Sequence, residues 1–107
     1  MHKGIEVTDR RGYVIRCCGE RWVGKILRDH PELENCETYI ERALRTPTYN
    51  CIFLSNKRRD RHIYYGEFKG RVEIKVVVQF DTPNEGTIIS ASPVSHRAPG
   101  EKLIWHK

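Results

Sequence analysis

Apolar positions along this chain change from helical to alternating spacing at Pro47. Before it, Trp22, Val23, Ile26 and Leu27 recur at helical spacing, and Tyr39, Ile40, Ala43 and Leu44 do the same. The spacing predicts two helices, near residues 20–29 and 37–45. Pro31 bounds the first, because the residue before a proline is pushed out of the helical region. Pro47 closes the second, and Glu37 and Glu41 fall on its outer side.

Strands are predicted on either side of the helices. Residues 12–18 read as a first strand, with Gly19 as a breaker. After Pro47, residues 51–54 form a short apolar strand and residues 61–68 a second one rich in aromatics. Lys69-Gly70 is a tight turn into residues 71–80, where Val72, Ile74, Val76, Val78 and Phe80 alternate on one face. Residues 81–86 read as a loop, 87–92 as the next strand and 93–100 as irregular. Leu103-Ile104-Trp105 adds a short edge strand. The fold class expected is α+β: two N-terminal helices packed on one face of a mainly four-stranded antiparallel sheet. The 107 residues suit one domain with one core, with no internal repeat, low-complexity tract or linker.

Composition narrows the function classes. Hydrophobic residues make up 38% and charged residues 31%, which is polar for a globular domain without being the composition of a disordered one. The net charge of +5 favours an anionic partner. The sharpest basic cluster is Lys57-Arg58-Arg59-Asp60-Arg61-His62, read either as a solvated loop between strands or as a phosphate-contacting edge. No apolar run approaches the length that crosses a bilayer, and the first residues lack the apolar stretch of a signal peptide. Cys17, Cys18, Cys36 and Cys51 show no C-x-x-C spacing, and no histidine pair completes a zinc pattern. Free cysteines in a reducing cytoplasm are therefore expected, with no metal and no cofactor.

The residues that carry chemistry follow from this order of elements. Lys25 and His30 sit towards the end of the first helix, ahead of the strands. Ser90 and Ser92 stand two apart, hence on one face of their strand. A histidine, cations and hydroxyls gathered over one sheet would make a metal-free site for cleaving a phosphodiester. Each also has a plainer reading: His30 packed beside Trp22, Lys25 an exposed helix lysine, Ser90 and Ser92 part of an exposed sheet face.

The order Trp22-x-x-Lys25-Ile26-Leu27-x-x-His30-Pro31-Glu32-Leu33, then Ile40-Glu41-Arg42-Ala43-Leu44-Arg45-x-Pro47, is followed by Tyr64-Tyr65 and Val76-Val77-Val78-Gln79-Phe80. Ile88-Ile89-Ser90-Ala91-Ser92 and Gly100-Glu101-Lys102-Leu103-Ile104-Trp105 close it. Over residues 20–105 this resembles the phage-associated branch of the Barnase–EndoU–colicin E5/D–RelE nuclease superfamily. Threonine is expected where this chain has Ser90, and serine keeps the hydroxyl. The resemblance implies a small α+β domain and a metal-independent endoribonuclease of toxin or phage-conflict type. In such enzymes the RNA 2′-hydroxyl is the nucleophile. The site must supply a base, an acid for the leaving 5′-oxygen, and positive charge on the pentacoordinate phosphate.

Those roles are assigned residue by residue. His30 is the candidate acid/base, since histidine alone titrates near neutrality unperturbed. Lys25 supplies charge to the phosphate and Ser90 a hydroxyl contact. Arg61, Ser92 and Lys102 are candidate substrate contacts. Tyr64 is the candidate stacking ring, because Tyr65 shares its register with Ile63 and so points inward. His96 is a reserve catalyst; His62 and His106 lie in loops or strand ends. Partners implied are RNA and an acidic antitoxin or immunity protein, with no membrane. The alternative is a non-catalytic module of the same fold that binds RNA or an acidic protein. A deoxyribonuclease would need a metal and a carboxylate cluster, whereas the carboxylates here are dispersed through the helices.

Overall fold

The computed structural model describes residues 3–70 and 72–107. Arg71, with which the sequence opens its central strand, lies outside the described residues.

Seven strands form one mixed sheet. A strand absent from the sequence reading, Ile5–Thr8 (β1), precedes the expected first one, Val14–Cys17 (β2). The helical segment follows as one α-helical turn, Gly19–Arg21 (α1), that runs into a π-helix over Trp22–Leu27. Helix Glu37–Arg45 (α2) comes next. The remaining strands are Cys51–Leu54 (β3), Arg61–Phe68 (β4), Val72–Thr82 (β5), Glu85–Val94 (β6) and Lys102–His106 (β7). Their order across the sheet is β1-β2-β6-β5-β4-β3-β7.

This corrects the expected four-stranded antiparallel sheet behind two helices. All neighbours are antiparallel except β2 and β6, which run parallel through Val14–Glu85, Ile15–Gly86 and Arg16–Thr87. The pairing joins segments some seventy residues apart, and no local pattern encodes it. The loop expected over residues 81–86 is also shorter: β5 runs on to Thr82, and the chain turns at Pro83-Asn84. Thr82 Oγ1 accepts the Glu85 amide there at 3.1 Å.

Phe68 pairs with Val72 across the β4–β5 connection, which turns at Lys69-Gly70. Both residues have positive φ, 54° and 73°. That geometry matches the right-handed twist of a hairpin, and glycine adopts it without steric cost. On α2, Ile40, Ala43 and Leu44 are buried, and each fully buried Ile or Leu contributes about 1.5–3 kcal/mol. The helix lies against β4 because Gly66 leaves room for it. A Cβ at Gly66 would stand 2.7 Å from the Ala43 Cβ and 2.9 Å from its Cα.

The core lies between the helices and one face of the sheet. Trp22, Ile26, Ile40 and Leu44 meet Ile15, Tyr64, Ile74, Val76, Val78, Ile88 and Ala91 there. The opposite face carries the alternate residues of β4 and β5, including Arg61, Ile63 and Tyr65 beside Lys75, Val77 and Gln79. No helix among the described residues is long and apolar enough to cross a membrane. Cys17 and Cys36 are buried, Cys18 is exposed, Cys51 is intermediate, and all four are free. Burial pushes the Cys17 thiol up to about 11.

Candidate functional site

Two irregularities build a cleft on the helix-free face. The first is in β6. Val77 pairs with Ser90 but Val78 pairs with Ile88, so Ile89 is the extra residue of a β-bulge. The bulge leaves Ile88 in the core while Ile89 and Ser90 face the cleft. The second is the end of β2, which pairs with β6 only as far as Thr87. The π-helical segment stands beside the edge of β6 beyond that point, and Lys25 Nζ donates to the Ile89 carbonyl at 2.8 Å.

The π-helix orients this contact. Trp22 and Ile26, four residues apart, are buried in the core. Arg21 and Lys25, one residue earlier in each case, line the cleft. Short π segments recur at functional sites because they re-aim side chains within a helix.

The cleft encloses about 730 Å³. Among the described residues, five cations line it: Arg21, Lys25, Lys57, Arg61 and Lys75. Ser55, Asn56, Gln79 and Ser90 supply neutral polar groups, and Glu101 supplies a carboxylate. Arg61 Nε is buried without a hydrogen-bond partner. Such an unmet donor costs about 1–3 kcal/mol, so an anionic acceptor here would relieve a penalty the fold already carries.

Glu101 is held hard in place. Its side chain is 4% exposed; Oε2 lies 2.9 Å from Lys75 Nζ, and Oε1 accepts the Tyr65 hydroxyl at 2.5 Å. Burial, and then the bond to Glu101, raises the Tyr65 phenol well above its usual range, so it stays a donor. Glu101 ends a strap, residues 95–101, tied across the sheet at two further points. Arg97 forks onto Glu73 with both bonds at 3.3 Å and stands over the rings of Tyr65, Phe53 and Tyr49 at 4.9–5.5 Å. Asn56 Nδ2 donates to the Pro99 carbonyl at 2.8 Å.

Of the residues expected from sequence, Lys25, Ser90 and Arg61 share this cleft. His30 does not line it. The π-helix turns the chain so that His30 falls at its far end, half-exposed, with Nδ1 3.9 Å from Glu32. Ser92 pairs with Lys75 but is not among the lining residues. Lys102 opens onto a smaller neighbouring cleft. His96 is exposed on the strap, beside the Ser95 hydroxyl.

Tyr64 corrects the expected stacking ring. It is fully buried on the helix side, where its hydroxyl donates to Asp9 Oδ2 at 2.7 Å and accepts from Arg11 Nη2 at 2.8 Å. Tyr65 is buried too, beneath the strap. Both faces of this sheet are covered, so alternation does not reveal which ring meets solvent. Arg11 also reaches His62 Nδ1 at 3.0 Å. Burial, and then the Arg11 charge, lowers His62 to about 4. It is therefore neutral at pH 7 and accepts from the guanidinium.

The sequence reading missed Arg21, Lys75 and Glu101. Lys75 had a signal, since Glu73, Lys75 and Gln79 break the apolar run of β5 on alternate positions. Glu101 had none, because its place depends on where the strap lands. Among the described residues no three His, Cys, Asp or Glu side chains gather where they could hold a metal ion. Compared with family models, curated proteins and solved structures, the chain matches none of them.

Proposed function

We propose that the chain binds single-stranded RNA across this cleft and cleaves it through attack of the 2′-hydroxyl, without a metal. The observation that carries the reading is the convergence of Arg21, Lys25, Lys57, Arg61 and Lys75 with Ser90 over one sheet face. A phosphate there meets charge on several sides, which is what a pentacoordinate transition state requires. The resemblance to the phage-associated branch of the Barnase–EndoU–colicin E5/D–RelE superfamily belongs to the same proposal. It is supported by Lys25, Arg61 and Ser90, far apart in sequence, meeting in one place.

The chemistry is assigned to fewer groups than the sequence suggested. Lys25 and Arg61 hold the phosphate, and the Ser90 hydroxyl donates to one of its oxygens. Lys75 and Glu101, 2.9 Å apart, are the proton-carrying pair, with the Glu101 carboxylate as base and the Lys75 ammonium as acid. The 2′-hydroxyl gives its proton to the Glu101 carboxylate as its oxygen bonds to phosphorus, the bond to the 5′-oxygen breaks, and that oxygen leaves with a proton from the Lys75 ammonium. The products end in a 2′,3′-cyclic phosphate and a 5′-hydroxyl. DNA has no 2′-hydroxyl and escapes. An acidic antitoxin or immunity protein would cover the same cations. A cytoplasmic location fits the four free cysteines.

A second reading has its own observation. Among the described residues no histidine lines the cleft, and both Glu101 oxygens are already engaged. On that reading the chain binds RNA without cutting it. Incubation with mixed tRNA and mRNA in EDTA, followed by analysis of the fragment ends, separates the two. Cyclic phosphate ends are expected from RNA and no products from single-stranded DNA. RNA that is bound but uncut, in EDTA and magnesium alike, selects the binding module. Equal cutting of DNA rejects the 2′-hydroxyl mechanism.

A further inference from the structure

A second cleft, of about 250 Å³, adjoins the first and shares Ser55, Asn56 and Lys57 with it. Beyond those three, Arg58, Arg59 and Lys102 line it, and among the described residues no carboxylate does. We propose that it is a second phosphate subsite, so that one RNA strand runs from the Ser90 cleft over Ser55–Lys57 to Arg59 and Lys102. The inference rests on the RNA reading above and extends it from a single phosphate to a strand of defined path.

The subsite is built by the β3–β4 connection. Ser55 Oγ accepts the amides of Lys57 and Arg58 at 3.1 and 3.4 Å, and the Arg61 amide donates back to the Arg58 carbonyl at 3.3 Å. These bonds turn the basic run back on itself, so its side chains gather instead of trailing along an extended loop. Lys102 is brought alongside by the sheet, where it is the register partner of Leu54. The Asn56 bond to Pro99 fixes the boundary between the two clefts. Arg58 pairs with the half-buried Asp60 at 3.4 Å, which leaves Lys57, Arg59 and Lys102 as the cations of this cleft with no carboxylate partner among the described residues.

The path predicts a dependence on strand length. Uncleavable 2′-O-methyl oligouridylates, a trinucleotide and an octanucleotide, serve as probes in fluorescence anisotropy at low salt. The wild type should bind the octanucleotide far more tightly. The double variant Arg59→Ala with Lys102→Ala should bind the octanucleotide about tenfold more weakly, and its salt slope should fall by about 1.4, or about 0.7 per lost phosphate contact. Its affinity for the trinucleotide should stay within about twofold, which also shows that the variant is folded. An octanucleotide affinity equal to the wild type would overturn the subsite while leaving the first cleft standing. Wild-type protein that binds neither probe would remove the RNA reading and this inference with it. Oligoglutamate that binds as tightly as the octanucleotide would overturn the assignment in favour of an acidic protein segment.

Discussion

Lys25 lies on the π-helix and His30, five residues on, just past the end of the helical segment, and the structure puts them in different surroundings. Lys25 reaches the Ile89 carbonyl in the cleft, while His30 faces Glu32 outside it. Lys25→Ala should therefore weaken RNA binding and slow cleavage, by about 10²-fold in turnover if it stabilises the transition state as a single electrostatic donor does. His30→Ala should leave both within about twofold. Parallel binding and cleavage assays check the pair, and a His30→Ala loss comparable to that of Lys25→Ala would put the site elsewhere. His62 offers a test of a different kind. Its folded-state value of about 4 lies below the ordinary 6.5, so between those limits the unfolded chain binds the extra proton. Stability should fall as pH drops from about 6.5 towards 4. In His62→Gln, which keeps an acceptor for Arg11 but does not titrate, that part of the fall should vanish from thermal melts. Asp9, Arg11 and Tyr64 remain in both proteins, so the difference between the curves isolates the imidazole.

At the scale of elements, the contact of α2 with β4 rests on one missing side chain. Gly66→Ala places a methyl 2.7 Å from the Ala43 Cβ, against helix backbone that cannot swing aside. Overpacking of this kind costs about 1–3 kcal/mol. Gly70 is a useful contrast. A Cβ there meets nothing within 4 Å, but φ is 73°, so the penalty of Gly70→Ala is conformational and should be about 1 kcal/mol. Urea unfolding should show the larger loss at Gly66, and relief of that loss by Ala43→Gly would tie it to the helix contact. Relief at Gly70 by the same change is not expected.

For the whole molecule, the charge of +5 gains its meaning from where the fold puts it. Several cations are neutralised locally, as in Arg16 between Glu6 and Glu85, or Arg97 on Glu73. Lys25, Lys57, Arg59 and Arg61 have no carboxylate partner among the described residues and collect along the two adjoining clefts. Affinity for single-stranded RNA should fall steeply with salt, the logarithm of the binding constant dropping by about 0.7 per phosphate contacted. A salt titration of octanucleotide binding gives that number directly. A slope near zero would mean that the cationic face does not hold a polyanion.

The period of the apolar residues by itself located the helical segments before Pro47, the strand Arg61–Phe68 and the hairpin at Lys69-Gly70. These depend on dihedral preferences and side-chain spacing within a few residues, which the chain carries locally. Residue type and order made Lys25, Arg61 and Ser90 candidates, and the fold places all three along one cleft. Only the tertiary structure decided the seven-stranded mixed sheet, because the parallel pairing of β2 with β6 leaves no mark on either segment. It decided which tyrosine is exposed, and the answer is neither, because strap and helices cover both faces of β4. It left His30 off the cleft, past the end of the π-helix that buries Trp22 and Ile26. And it brought Glu101 to Lys75 through the anchoring of Arg97 and Asn56. Contacts of that kind are decided by packing between distant segments, so spacing along the chain cannot announce them.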